Sequence, residues 1–309
     1  MDKVKVQSWI KKNIVFIFLI FMCTVFGLLN KTFLTSKNIF NLTSQMSINA
    51  LLATGLTYVI ILGGIDISVG SVAALAGVCA AMIGLRIPNL NTASGIIVLL
   101  GSAIVIGGVC GTFNGIMITR FKVVPMIATL AMMTIARGVA QIANGNYNTD
   151  SIGEAAEGFR NFFYYGKTLG FYNTIWIAIV FWLVFNFVLT RTRTGRHIYA
   201  IGSNIEAARL SGVNIVSTTL KAYLVSSFVS CVVGLITCAT SGMGTMDSGN
   251  AYELYAVAAS VIGGVSTLGG QGLLFGTVIG ASIWGVLQNG LQFAGAPVAI
   301  RNIVIGIIV

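Results

Sequence analysis

The chain has 309 residues, 56% of them hydrophobic and 8% charged, and its mean hydropathy is +0.91. A soluble globular domain carries roughly a quarter charged residues, so this composition excludes one and describes an integral membrane protein. The formal net charge of +10 does not point to nucleic acid, because the basic residues concentrate in a few short segments, as Lys and Arg do in the cytoplasmic loops of membrane proteins.

A spanning helix needs about 20 apolar residues, which leaves room for roughly ten with short loops. No Pro/Ser-rich or charge-rich linker divides the sequence. The expected fold is therefore all-α: one polytopic domain over residues 1–309, of about ten transmembrane helices, some of them broken or re-entrant. Lys3, Lys5, Lys11 and Lys12 precede the first apolar run, 14–29. That run is too long for a signal peptide and no Ala-x-Ala site follows, so it reads as a first transmembrane helix with a cytoplasmic N-terminus, in the inner or plasma membrane of the cell.

A second span runs from about Ser44 to Leu62, and Gly63-Gly64-Ile65-Asp66-Ile67-Ser68-Val69-Gly70-Ser71 leads into a third, to about Leu85. A short loop with Pro88 follows. The fourth span, 94–118, carries Gly107, Gly111 and Gly115; small residues four apart let helix backbones approach closely in lipid. Arg120 and Lys122 mark the inner side, and Pro125 opens a fifth span ending near Ala143. The longest loop, 144–170, holds Asp150, Glu154, Glu157, Arg160 and Lys167 and faces outward by alternation. Phe171–Leu189 and Thr219–Ala239 are the sixth and seventh spans, with the basic segment Arg191–Val216 between them on the inner face. A Gly-rich outward loop, 241–249, contains Asp247. The eighth span runs from Tyr252 to Gly263-Gly264, and the ninth is read as carrying Gly272, Gly276 and Gly280. A tenth apolar stretch begins after Pro297 and reads as incomplete at Val309. By this topology the inner loops hold more Lys and Arg than the outer ones, although Lys31, Lys37, Arg86, Arg160 and Lys167 fall outside. The five cysteines all lie in apolar stretches without a Cys-x-x-Cys pair and read as packing residues.

Within Arg191–Val216, Asn204 can cap a helix, Glu206 lies in its first turn and Gly212 can stop it. Two readings stand for this short element: an interfacial loop helix, or a helix that docks into another protein's groove. Gly63-Gly64-Ile65-Asp66 recurs loosely as Gly263-Gly264-Val265-Ser266, and Gly70 is matched by Gly270. Such glycine pairs in corresponding halves mark either internal repeats with unwound helices or two tight helix hairpins. Asp66, Arg137 and Arg301 are charges in or beside apolar segments. Each must face a cavity or a partner, or reach water at a helix end. Enzyme readings fail. The one histidine, His197, lies in the basic loop, so no histidine metal cluster or nucleophile–His triad is expected within this chain. Gly166-Lys167-Thr168 superficially matches the end of a phosphate-binding loop, but Asn161 stands at the first glycine position and bulky aromatics lie between. No catalytic residue, metal site or nucleic-acid partner is expected.

Glu206-Ala207-Ala208-x-x-x-Gly212 resembles the coupling loop of ABC importer permeases, and the fuller run from Thr194 to Val213 is similar to the ribose, xylose, arabinose and galactose branch of that family. Gly63–Ser71 and the 262–270 run resemble signatures of the same sugar permeases. The resemblance implies that Arg196, Asn204, Glu206, Ala207, Ala208, Arg209 and Gly212 couple the chain to cytoplasmic ABC ATPase subunits, which hold the ATP and Mg while this chain binds no cofactor. It also implies a second permease subunit, identical or not, and an extracytoplasmic sugar-binding protein docking on 144–170 and 241–249. A neutral sugar needs hydroxyl and amide partners along its path, for which Asp66, Ser68, Asn114, Arg137, Gln288 and Asn289 are the candidates, with Gln141, Asn144 and Gln292 as further amides. Nucleosides, branched-chain amino acids, an ion-coupled secondary transporter and a passive channel are the alternatives.

Overall fold

The computed structural model describes residues 3–87, 93–153 and 156–308; the loop expected around Pro88, Glu154 and Val309 lie outside them. The described chain is almost wholly helical: α1 (Lys3–Leu29), α2 (Ser36–Ile61), α3 (Val69–Arg86), α4 (Ala93–Thr119), α5 (Pro125–Ala143), α6 (Glu157–Arg160), α7 (Asn173–Arg191), α8 (Arg193–Ser203), α9 (Ile205–Leu210), α10 (Ile215–Ser241), α11 (Tyr252–Ile262), α12 (Leu274–Phe293) and α13 (Val298–Ile308). A π turn, Asn161–Tyr165, and a two-residue hairpin, β1 (Lys167–Thr168) with β2 (Phe171–Tyr172), sit between α6 and α7. Seven of these helices are long and apolar enough to cross a membrane: α2, α3, α4, α5, α7, α10 and α12. Two shorter apolar helices, Ile14–Leu29 and α11, join them, and α13 occupies the tenth apolar stretch.

Local chemistry sets the helix ends. Pro125 takes the first turn of α5, where its missing N–H costs nothing. Asn214 Oδ1 accepts from Ser217 N at 2.9 Å to cap α10, and Gly242 (φ +72°) ends it in the left-handed conformation that favours glycine. α2 begins at Ser36, eight residues before the expected Ser44. The polar residues there do not stop the helix, because Thr43, Ser44 and Ser47 each donate to a carbonyl one turn back. The basic stretch expected as a loop is mostly helical as well, folded into α8 and α9.

α2, α3 and α10 form the interior, with 78% of the most apolar window of α10 buried against 11% for α7. α4, α5 and α7 lie outside and present Ile104, Val109, Ile135, Val139, Leu183 and Phe187 outward, an apolar exterior suited to lipid. α4 crosses α10 along its glycine row. A methyl group on Gly107 would lie 2.9 Å from Phe228 Cα, on Gly111 2.8 Å from Leu224 Cα, and on Gly115 3.0 Å from Leu220 Cα. The partners step back by four as the glycines step forward, so the two backbones run antiparallel in near contact. Gly276 and Gly280 bring α12 onto α11 at Gly263 and Ala259 in the same way. Gly272 does not belong to this row: it lies two residues before α12 begins, at φ +150°, in a turn against Val265.

This packing makes a sharp contrast testable. Gly111→Leu forces α4 from α10 and is expected to destabilise the purified protein on the order of 1–3 kcal/mol, read as a lower melting temperature in detergent. Gly108→Leu, on the neighbouring face with nothing within 4 Å, is expected to melt like the parent.

Candidate translocation and coupling site

Between α2 and α3 the chain leaves helical geometry for Leu62–Ser68, with Gly63 at φ +93°. Asp66 is fully buried in this stretch. Its Oδ1 accepts from Ser68 N at 3.0 Å and Ser68 Oγ at 2.6 Å, and its Oδ2 accepts from Ser226 Oγ of α10 at 2.8 Å. Asn114 Nδ2 of α4 donates to Ser68 Oγ at 3.2 Å, and Thr129 Oγ1 of α5 donates to Ile65 O at 3.3 Å. Asp66, Ser68 and Asn114 therefore form one buried cluster that ties the interrupted segment to three helices. Asn114 Oδ1 and the Tyr223 hydroxyl are buried beside it without a hydrogen-bond partner among the described residues. Ser226 is the member that sequence reasoning missed: a serine in an apolar run carries no signal until its distant partner is known.

Arg137 lies elsewhere. Its Nη1 donates to Ser248 O at 2.9 Å and to Met246 O, holding the non-helical loop that precedes α11. That loop meets the start of α3 through bare backbone: a methyl group on Gly70 or Gly249 would overlap the carbonyl of the other. Beside this contact a cavity of about 410 Å³ is lined by Ser71, Thr134, Arg137, Gln141, Asn250 and Glu253, with Met133 and Gly138. Glu253, absent from the sequence candidates, faces Arg137 across it. A mostly apolar cavity of about 310 Å³ on the α2–α7–α12 side is lined by Thr43, Ser47, Thr54, Trp182 and Ser282 among apolar side chains.

Gln288 and Asn289 lie on α12, away from both groups. Asn289 exchanges amide hydrogen bonds with Asn38 of α2 at 2.9 and 3.2 Å, joining the two helices; Gln288 is half-buried. The six polar candidates thus fall into three separate places, and Gly70 is not the counterpart of Gly270, which sits in a turn at φ +72°.

At the basic end, α8 buries Gly195, Ile198 and Ile201 and exposes Arg196. α9 follows after one extended residue, Asn204, whose Oδ1 accepts from Ala207 N at 2.9 Å. Gly212, at φ +79°, closes the turn after α9. Arg209 Nη1 donates to both carboxylate oxygens of Glu206, each at 3.0 Å. The pair is exposed, so it adds less than about 1 kcal/mol to stability. Ala208 is the buried side chain of the helix, while Ile205, Ala207 and Leu210 are exposed, Leu210 by 89%.

Apolar helices around internally bonded breaks, with a capped polar helix at the basic end, describe a multi-pass membrane protein. The chain belongs to the family described as the branched-chain amino acid transport system / permease component, which matches residues 38–309. It is 35% identical over 305 residues to the ribose import permease protein RbsC of Escherichia coli (strain K12), covering 98% of this chain and 92% of the relative. It is 32% identical to the galactose/methyl galactoside import permease protein MglC of Salmonella typhimurium (96% and 90%) and 33% identical to the L-arabinose transport system permease protein AraH of Escherichia coli (strain K12) (96% and 86%). No solved structure matches the chain.

The buried cluster makes its own prediction. Asp66→Ala strips acceptors from Ser68 and Ser226, and each buried group left unpaired costs about 1–3 kcal/mol. The variant should lower the melting temperature of the purified protein markedly. Asp66→Asn keeps one acceptor oxygen and should fall between the variant and the parent. Equal melting of all three would refute a structural role for the cluster.

Proposed function

We propose that this chain is the membrane subunit of a binding-protein-dependent ABC importer and that its cargo is a simple sugar. The observation that carries the coupling reading is the surface of α9: a helix capped and turned by its own residues, yet offering Ile205, Glu206, Arg209 and Leu210 outward at the basic end. An exposed leucine flanked by charges suits a groove on a soluble partner, and a cytoplasmic ATPase carrying ATP and Mg is the partner that supplies the driving force. The N-terminus then lies in the cytoplasm with Lys3, Lys5, Lys11 and Lys12. Sugar as cargo rests on the names of the relatives; the family description names branched-chain amino acids, so both classes enter the test.

In this reading a loaded binding protein docks on the segment from Asn144 to Tyr172 and on the loop after α10. Two permease subunits enclose the path. The cavity at Arg137, Gln141, Asn250 and Glu253 supplies the hydrogen-bonding groups that a polyol meets from outside, without the enclosure of a tight site. ATP binding draws the partner subunits together and displaces α9, which switches the side open to water. The displacement does work only because docked contacts differ between the two states.

Proteoliposomes holding this chain with its ATPase and binding protein should take up at least one of ribose, galactose or arabinose, and only with ATP. Glu206→Lys reverses the charge of the docking face, and Gly212→Trp places a side chain on a left-handed residue that favours glycine. Each should reduce uptake at least tenfold while the protein still assembles in the membrane. Leucine uptake in place of sugar would overturn the cargo class, and ATP-independent uptake would overturn the coupling.

A further inference from the structure

Three backbone segments converge where α8 ends. The first is the end of α2 with Gly63, which opens the stretch leading to Asp66. The second is the last turn of α8, Tyr199 to Ser203. The third is the turn Ser266–Gly272 that connects α11 to α12. Gly270 N donates to Ile61 O at 2.8 Å, and the Tyr199 hydroxyl donates to Gly272 O at 2.6 Å. Apart from the Ser203 hydroxyl, 2.5 Å from a methyl group placed on Gly270, the remaining contacts are between backbones. A methyl group on Gly202 would overlap Ile61 O and lie 2.5 Å from Gly270 N. On Gly269 it would lie 2.9 Å from Gly202 O and 3.0 Å from Gly63 Cα; on Gly270, 2.8 Å from Ser203 Cα. Both glycine pairs that the sequence repeats, at 63–64 and 263–264, end helices that feed this point. α9 begins two residues after Ser203.

We propose that Tyr199 and the glycine node of Gly63, Gly202, Gly269 and Gly270 position the two interrupted helix pairs, α2–α3 and α11–α12, against α8, and that this node relays displacement of α9 into the membrane. The inference rests on the coupling role given to α9 above. From the node one route runs through Ile61 and Gly63 to Asp66, and so to α10 and α4 through Ser226 and Asn114. The other runs through Gly272 into α12. Contacts between backbones have no rotamers to absorb a shift, so a push on α8 moves all three segments together. Tyr199 and Gly202 need not touch sugar, nucleotide or the partner for this role.

The test measures ATP hydrolysed per sugar imported in proteoliposomes of the full complex. Tyr199→Phe removes one oxygen and one hydrogen bond, and Gly202→Ala drives a methyl group into the node. ATP hydrolysis should persist in both, while the ATP used per sugar should rise, on the order of fivefold for Tyr199→Phe, the scale of one hydrogen bond, and more for Gly202→Ala. If Gly202→Ala fails to assemble, Tyr199→Phe decides alone. A parent-like ratio in Tyr199→Phe, with Glu206→Lys uncoupled in the same preparation, would overturn the relay and leave the importer reading intact. A parent complex that imports nothing with ATP would instead overturn that reading, and the relay with it.

Discussion

In hydrocarbon a backbone N–H or C=O without a partner costs several kcal/mol, so helices are the default and every break must be bonded inside the protein. Among the described residues, three helix breaks packed against the bundle are each bonded by groups from other elements. At Gly63–Ser68 the turn amides go back to α2, Asp66 takes the Ser68 amide, and Thr129 reaches the Ile65 carbonyl. In the loop before α11, Thr149 bonds Gly244, Asn148 accepts from Met246 N, and Arg137 takes the Met246 and Ser248 carbonyls. In the turn before α12, Ile61 and Tyr199 serve Gly270 and Gly272. No break can shift without moving the helices that satisfy it.

The same constraint assigns distinct work to the charged residues. Asp66 and Arg137 both sit where an ion is costly, yet each spends its hydrogen-bonding capacity on the chain itself. Asp66 is closed off by the Ser68 backbone N–H and the hydroxyls of Ser68 and Ser226. Arg137, besides bonding two carbonyls, lines a polar cavity with Glu253 and Gln141.

Much of the architecture was legible in the sequence because apolar run length and its punctuation are local properties. Pro125 and the Asn204–Gly212 pattern mark boundaries through the geometry of single residues. The early start of α2 was hidden, since Ser and Thr satisfy their hydroxyls on the preceding turn and look like loop residues in composition. Gly272 was misread for a related reason: a four-residue glycine period is shared by a packing helix and by a glycine-rich turn that leads into one. The site was the least legible part. Ser226 lies 160 residues from Asp66, and Glu253 comes to Arg137 only because the loop before α11 folds back onto Gly70. Periodicity says nothing about such pairs.

The distribution of glycine along the bundle follows from what each contact has to do. Along α4 and α10 the glycines allow long, uniform backbone contact, which fixes the relative position of two whole helices. At Gly70–Gly249 and at Gly202–Gly270 they allow point contact between one turn of a helix, α3 or α8, and a loop. A side chain at such a point would act as a cushion, since its rotamers can change before the backbone moves. Glycine removes that cushion. The bundle is thereby divided into helices held as a block and connections held at points, and only the latter lie beside α9 and the polar cavity. The proposed relay uses that division: the block would keep lipid and solute apart, while the point contacts would pass a shift on one face of the membrane into it.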